Sequence, residues 1–181
     1  MGRILVHEFI TVDGVFGDPH WTADFPWADE MGTAIGQVMA ASESILLGRV
    51  TYQMFAPAWS TRTAAEDPGA PFMNESPKYV VSATLHETEW NNSHIVDGYS
   101  RDALQSLKDR SERDIYVSGS GTLVRAMLHD GLVDELHLFV YPLVLGSGQR
   151  LFSEEGVAHQ LSLVASESFG NGVVHLAYRQ R

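Results

Sequence analysis

Two glycine-bearing stretches of the sequence carry residue types that bind phosphate. The first runs from Leu46 through Leu47 to Gly48 and leads into Arg49, Val50 and Thr51, where a helix is expected to begin. Unpaired backbone N–H groups and the positive end of the helix dipole at such a junction attract an anion. Arg49 adds a charge and Thr51 a hydroxyl, so the stretch predicts a phosphate site, although strand-glycine-helix junctions also occur for purely structural reasons.

A second junction of the same kind follows the apolar run Ile115–Val117. Its residues, Ser118-Gly119-Ser120-Gly121-Thr122-Leu123, combine glycines that allow close backbone approach with hydroxyls that donate to phosphate oxygens. Two such sites in one chain predict a dinucleotide ligand. The run is not a Rossmann fingerprint, because Val124 stands where the third glycine is needed. A hydrolase that uses Ser120 is the least favoured interpretation, since Ser118 occupies the first glycine position of a nucleophile elbow.

The composition disfavours several other kinds of protein. A formal net charge of -11 argues against a nucleic-acid binder, because that affinity comes from basic side chains. The chain has no cysteine, and none of its 8 histidines belongs to a metal-binding motif, so no metal site is predicted. His7 and His137 are expected to be sheet residues or to line a pocket. No apolar run is long enough for a membrane span, and a cytoplasmic protein is expected.

Alternating apolar runs and helical patterns are expected to position the two glycine turns. Buried strands are predicted at five runs: Ile4–Val6, Ile45–Leu47, Tyr79–Val81, Ile115–Val117 and Leu136–Val140. Helices are predicted over residues 28–42, from Arg49, over 100–109 and over 122–129, the last of them stopped by Gly131. This alternation favours an α/β sheet with parallel pairs and right-handed crossovers.

The C-terminal part follows a different pattern. Residues 161–169 and 173–178 flank Gly170, Asn171 and Gly172, and the Asn-Gly pair suits a tight hairpin turn with positive φ angles. The sheet is therefore expected to be mixed, with an antiparallel end. Residues 57–77 contain four prolines and little periodicity, which predicts a long loop. No linker divides the chain, so residues 1–181 are predicted to form one domain.

Six short motifs follow one another along the chain: Thr11-Val12-Asp13-Gly14, Leu47-Gly48-Arg49-Val50-Thr51-Tyr52, Val81-Ser82-Ala83-Thr84-Leu85, Val117-Ser118-Gly119-Ser120-Gly121, Gly131-Leu132-Val133-Asp134-Glu135-Leu136 and Tyr141-Pro142-Leu143-Val144-Leu145-Gly146-Ser147-Gly148. Their order and approximate spacing resemble those of the dihydrofolate reductases and of the reductase domain of bifunctional riboflavin-biosynthesis deaminase-reductases. The resemblance implies a dihydrofolate-reductase-like three-layer α/β/α fold, with a mixed, mainly parallel sheet and an antiparallel C-terminal hairpin. It also implies a homodimer.

The same resemblance implies NADPH as the cofactor. Residues 47–51 and 82–84 would surround the adenosine 2'-phosphate and one pyrophosphate flank, residues 118–123 the other flank, and residues 12–14 the nicotinamide. The implied cofactor contacts are Val12, Gly14, Leu47, Gly48, Arg49, Val50, Thr51, Ser82, Ala83, Thr84, Ser118, Gly119, Ser120, Gly121, Thr122 and Leu123. Ala83 replaces a frequent basic residue, which leaves the 2'-phosphate charge to Arg49 or Arg62. Ser118 replaces an acidic residue of the riboflavin-type reductases.

Hydride transfer also needs a proton source near the acceptor. By the resemblance that acid lies on the first helix, which makes Asp29 and Glu30 the candidates, with Asp13 as a rival. Acidic residues in a first helical turn equally complement the helix dipole. Phe16, Trp27 and Tyr52 are candidate substrate contacts that would stack on a planar ring, and each could instead belong to the core.

The function expected from these residues is an NADPH-dependent reductase. It would transfer a hydride to a small heteroaromatic substrate, either pterin-like or ribosylaminopyrimidine-like. The alternative is a non-catalytic protein that binds NADP(H) or another nucleotide and has kept the fold.

Overall fold

A computed structural model describes residues 1–152 and 158–180 of the chain. The described residues form one sheet of eight strands in the order β4-β3-β2-β5-β1-β6-β8-β7. The strands are β1 Ile4–Thr11, β2 Ser42–Gly48, β3 Lys78–Ser82, β4 Ser93–Asp97, β5 Asp114–Ser118, β6 Glu135–Tyr141, β7 Leu161–Ser168 and β8 Val174–Gln180. Strands β1 to β6 pair in parallel, while β8 runs antiparallel to both β6 and β7.

Helices connect the parallel strands and cover both faces of the sheet. They are α1 Asp29–Ala41, α2 Arg49–Trp59, α3 Ala70–Glu75, α4 Arg101–Arg110 and α5 Gly121–His129, with a 3-10 turn over Pro19–Asp24. Side chains alternate between the faces of a strand. Ile4 and Val6 of β1 accordingly pack with residues of α4 and α5, while Leu5 packs with residues of α1, α2 and α3. The predicted α/β fold, with a mainly parallel mixed sheet and an antiparallel C-terminal hairpin, is confirmed.

Two elements were not predicted from the sequence. Strand β4 lies at the edge of the sheet, where Ser93, His94 and Asp97 face outward or are half-buried, so no apolar run marks it. Part of the loop predicted over residues 57–77 is helical. Helix α2 continues through Pro57 to Trp59, and α3 follows at Ala70–Glu75. Buried Ala70 and Met73 fix α3 against the sheet, which a six-residue segment does not reveal by periodicity.

The turn geometry of the hairpin also differs from the prediction. Only Gly172 of the Asn-Gly pair has a positive φ, of 85°. The Gly172 amide donates to the Phe169 carbonyl, and Asn171 Oδ1 accepts from the Val173 amide. Asn171 therefore contributes its side chain rather than a left-handed backbone. Gly131, with a φ of 69°, follows α5 as predicted. None of the described helices is both long and apolar enough to span a bilayer.

Candidate functional site

A large cleft opens at the carboxyl ends of strands β1, β2, β3 and β5. Its volume is about 1640 Å³. Strand β5 lies between β1 and β2, and the helix that follows β5 packs on the opposite face from the helices that follow β1 and β2. Such a switch in helix side separates the loops at the strand ends and leaves a crevice there, which is where open α/β sheets bind ligands.

The two glycine turns meet at one wall of this cleft and are hydrogen-bonded to each other. The Gly48 amide donates to Ser120 Oγ at 2.9 Å, and the Ser120 amide donates to Thr51 Oγ1 at 2.9 Å. Gly119 has a φ of 61°, and a Cβ there would lie 3.3 Å from Thr51 Cγ2. The two junctions are thus one assembly. Each hydroxyl accepts from the protein and still has its own hydrogen to donate.

The first turns of α2 and α5 point backbone N–H groups into the same region. Among the described residues, no acceptor binds the amides of residues 49–51 or of residues 121–123. Neither helix has a side-chain cap. All six of these residues line the cleft, as do Gly48, Ser118, Gly119 and Ser120. Two neighbouring helix N-termini without side-chain caps have the electrostatics that suit a group with two negative charges.

The end of β3 supplies a third segment of the wall. Ser82 and Ala83 line the cleft together with Gly98 and Tyr99, whereas Thr84 lies outside it. Ser82 Oγ accepts from the amides of Thr84 and Leu85 at 3.1 and 2.9 Å, so its hydroxyl holds the turn in place.

Arginine side chains differ in their access to this wall. Arg49 lines the cleft, and its Nη1 donates to Gln53 Oε1 at 2.8 Å. Arg62 does not line the cleft, although it stacks on Trp59 and pairs at 3.6 Å with Asp67, and both of those residues do line it. Of the two arginines considered for the 2'-phosphate, the structure brings only Arg49 to the cleft.

The turn after β1 does not reach the cleft wall. Val12, Asp13 and Gly14 are absent from the lining, and Val12 is 62% exposed. Asp13 accepts from Thr11 Oγ1 at 2.6 Å and from the Gly146 amide at 2.8 Å. The Thr11 hydrogen bond and these backbone bonds lower the pKa of Asp13 to about 2. Asp13 is therefore an ionised clamp on the loop around Gly146, which is the wrong state for a proton donor.

The other predicted residues divide between the cleft and its surroundings. Asp29, Phe16 and Trp27 line the cleft, whereas Glu30 is exposed outside it. Leu47 and Tyr52 are buried beneath the wall. The Tyr52 hydroxyl accepts from the Trp90 amide at 3.0 Å, because the ring packs inward against the sheet rather than toward the cleft.

Two titratable residues of β1 also line the cleft, and neither is among the catalytic candidates predicted from the sequence. Glu8 is 3% exposed, and burial raises the pKa of its carboxyl to about 8, with Arg125 acting weakly in the other direction. Among the described residues, Oε1 of Glu8 has no hydrogen-bond partner. A glutamate within an otherwise apolar buried strand, next to Phe9 and Ile10, was the signal that could have identified it.

His7, the neighbouring residue, lies at the base of the cleft on the α1 side. Its Nδ1 is 2.9 Å from the Tyr116 hydroxyl and 3.3 Å from Ser118 Oγ. Burial, followed by the nearby His137 and His175, lowers the pKa of His7 to about 3, so the imidazole is neutral. Burial also raises the pKa of Tyr116, which keeps its hydroxyl protonated. An imidazole that accepts from this hydroxyl at Nδ1 carries its own hydrogen on Nε2.

Two curated proteins of Bacillus subtilis are similar to the chain in sequence over nearly its whole length. The chain is 27% identical over 182 residues to the uncharacterized protein YyaP of Bacillus subtilis, and the match covers 97% of this chain and 94% of that protein. The uncharacterized protein YwjB of the same organism is 23% identical over 175 residues, with 94% of each chain covered.

Three solved structures share the fold. A protein of Shewanella sp. PV-4, provisionally assigned to riboflavin biosynthesis, matches with a TM-score of 0.81 and 21% identity over 100% of this chain and 99% of that one. A diaminohydroxyphosphoribosylaminopyrimidine deaminase/5-amino-6-(5-phosphoribosylamino)uracil reductase of Thermotoga maritima matches at 0.69 and 15%, over 99% of this chain and 57% of that one. An Enterococcus faecalis dihydrofolate reductase complexed with NADP(H) matches at 0.61 and 14%, over 99% and 97%.

These structural matches show a reductase-type, dihydrofolate-reductase-like fold, as the sequence motifs implied. The model of the RibD C-terminal domain matches residues 3–175, which is nearly the whole length of the chain. The chain therefore belongs to the RibD C-terminal domain family.

Proposed function

We propose that the chain is an NADPH-dependent reductase that transfers a hydride to a small pterin-like or ribosylaminopyrimidine-like substrate. One observation carries the proposal. The first turns of α2 and α5, joined by the bond between Gly48 and Ser120, present unpaired N–H groups to the same cleft. A pyrophosphate has oxygens on both phosphorus atoms and fits two adjacent helix N-termini better than a single phosphate does.

The residues present fit the adenosine end of NADPH as well. Arg49 lies at the start of α2 and is the cleft-lining arginine of this wall, next to the end of β3 at Ser82 and Ala83. Since the chain carries a net charge of -11, an anionic ligand must be held by local groups rather than by the overall field. A 2'-phosphate would therefore depend strongly on the Arg49 side chain.

The α1 side of the cleft suits a flat substrate. Phe9, Trp27, Ile35 and Met39 line it, and His7 lies at its base. NADPH supplies the hydride, while the protein fixes the distance to the acceptor and excludes water. Asp29, at the first turn of α1, is the one acidic candidate from the sequence that lines the cleft, and its role as proton donor remains part of the proposal.

Titration with reduced cofactors tests this function directly. We expect saturable NADPH binding in the micromolar range by fluorescence or calorimetry, with weaker binding of NADH. The absence of saturable NADPH binding would exclude the oxidoreductase function. Turnover assays with dihydrofolate and with 5-amino-6-(5-phosphoribosylamino)uracil would then separate a reductase from a protein that only binds the cofactor.

We also propose that the chain forms a homodimer through the β7 edge of the sheet. Leu163 and Val164 of β7 are 57% and 42% exposed, and among the described strands none pairs with the outer side of β7. Unpaired edges with apolar side chains favour pairing with another chain. Sedimentation equilibrium of the wild type and of Leu163→Lys tests this, and a monomeric wild type at micromolar concentration would contradict it.

A further inference from the structure

Glu8 places a carboxyl group inside the cleft. Side chains alternate along β1, so Glu8 shares its sheet face with Val6 and Ile10, which pack with residues of α5. Phe16 and Leu123 line the cleft on this same side. Glu8 is 3% exposed, and its Oε1 has no hydrogen-bond partner in residues 1–152 or 158–180.

Within the part of the chain that the structure describes, no cationic side chain forms an ion pair with this carboxyl. Arg125 is the charged residue of α5 that acts on Glu8, but its guanidinium donates to the Arg150 carbonyl and to Thr122 Oγ1. The other titratable groups around Glu8 are Tyr116 on β5, which is protonated, and the neutral His7 beside it. Burial disfavours the carboxylate, and the pKa near 8 means that Glu8 is mostly neutral at pH 7. A neutral carboxylic acid has one O–H donor and one carbonyl acceptor side by side.

The sheet order places Glu8 on one side of the proposed pyrophosphate site. That site lies at the ends of β2 and β5, and β1 is the next strand beyond β5, roughly 5 Å further along the sheet. On the other side, β3 leads to Ser82 and Ala83, the segment proposed for the adenosine end. The half of a dinucleotide that carries nicotinamide would therefore extend over β1, where Glu8 lies.

We propose that Glu8 is a cofactor-binding residue that pairs, as a neutral acid, with the carboxamide of the nicotinamide. Its O–H donates to the carboxamide carbonyl, and its own carbonyl accepts from the carboxamide NH₂. This acid-amide pair satisfies the unpartnered Oε1 and fixes the rotation of the nicotinamide ring. The inference rests on the proposed NADPH-binding function and assigns a recognition residue to it.

Two probes that differ only in the nicotinamide test the pair without any substrate. Calorimetry at pH 7 would compare NADPH with 2'-phospho-ADP-ribose, which keeps both phosphate contacts but lacks the ring. For Glu8→Leu we expect NADPH affinity to fall about 10- to 100-fold. A loss of this size corresponds to removing the hydrogen bonds between the neutral carboxylic acid and the carboxamide in a buried site. Binding of 2'-phospho-ADP-ribose is expected to change less than about twofold. Glu8→Gln, whose amide keeps a donor and an acceptor, is expected to stay within about fivefold of the wild type for NADPH.

A change in the ligand gives a second test, and its wild-type half does not depend on how well any variant folds. The reduced 3-acetylpyridine analogue of NADPH replaces the carboxamide NH₂ with a methyl group. The wild type is expected to bind it about tenfold more weakly than NADPH, whereas Glu8→Leu should bind the two equally. If Glu8→Leu binds NADPH like the wild type, or loses both probes equally, the Glu8 assignment is wrong. If the wild type binds neither probe, the proposed function fails first.

Discussion

Gly48 and Ser120 are 72 residues apart in the sequence, and the Gly48 amide donates to Ser120 Oγ at 2.9 Å. The return bond from the Ser120 amide to Thr51 Oγ1 makes the link reciprocal. A side chain of each glycine turn thus holds the backbone of the other. Ser120 adopts the left-handed conformation, with a φ of 63°, while it makes these contacts.

Ser120→Ala is expected to destabilise the protein and to weaken NADPH binding together. It removes the acceptor of the Gly48 amide, and a buried donor left without a partner costs about 1–3 kcal/mol. Denaturant unfolding and NADPH titration would measure the two effects. Ser60→Ala, at an exposed residue just after α2 that does not line the cleft, is the matched control and should change neither. An unchanged stability of Ser120→Ala would show that the link between the turns contributes nothing.

Arg49→Ala is expected to weaken NADPH binding at least about tenfold and NADH binding less than about twofold, since only NADPH carries the 2'-phosphate that a guanidinium would pair with. Parallel titrations with the two cofactors measure this. Arg62→Ala, at the other arginine considered for the 2'-phosphate, serves as the comparison, because Arg62 does not line the cleft. Equal losses for both cofactors in Arg49→Ala would mean that Arg49 does not contact the 2'-phosphate.

Gly121→Ala is expected to disturb the cleft wall at Phe16. A Cβ on Gly121 would lie 1.9 Å from Phe16 Cζ, so the ring must move from its buried position. Overpacking of this kind costs about 1–3 kcal/mol. Gly36→Ala in α1 has open space at its Cβ and should instead stabilise by about 0.5–1 kcal/mol through helix propensity. Thermal unfolding of both variants tests the opposite signs.

Asp13→Asn is expected to loosen the loop around Gly146 without removing a proton donor. The folded-state pKa of Asp13, about 2, lies below its ordinary value of 3.8. Ionised Asp13 therefore stabilises the fold above pH 3.8, and this stabilisation is lost as the pH falls through 2. The difference in the free energy of unfolding between wild type and Asp13→Asn should be constant near neutral pH. It should shrink as the pH falls from 4 to 2. A difference that persists at pH 2 would contradict the clamp, and hydrogen exchange at Leu145 and Gly146 would locate it.

Glu8→Gln is expected to become more stable relative to the wild type as the pH rises. Burial raises the folded-state pKa of Glu8 from 4.5 to about 8. Between these values the folded chain binds a proton that the unfolded chain has released, so wild-type stability from this group falls from pH 4.5 to 8. Glutamine does not titrate, so denaturant unfolding at pH 5, 6.5 and 8 should show a growing advantage for the variant. A gap that is independent of pH would mean that Glu8 is ionised in the folded state.

Local patterns were sufficient for much of the fold. The strand-turn-helix junctions at Gly48 and at Ser118–Leu123 were predicted because apolar runs, glycines and helix starts are adjacent in the chain. Strand β4 was not predicted, because an edge strand exposes one side and carries polar residues such as His94 and Asp97. Helix α3 was not predicted because its few residues depend on contacts with the sheet rather than on their own periodicity.

The sequence by itself determined the α/β layout and the two glycine turns, since hydrophobic periodicity and turn residues act over a few positions. Only the tertiary structure decided what the acidic side chains do. Asp13 is held by Gly146, 133 residues away, while Oε1 of Glu8 is buried in the cleft with no hydrogen-bond partner among the described residues. A carboxyl group takes its protonation state from its burial and from the hydrogen bonds that distant segments bring to it. Those distant segments meet only when the whole sheet has formed.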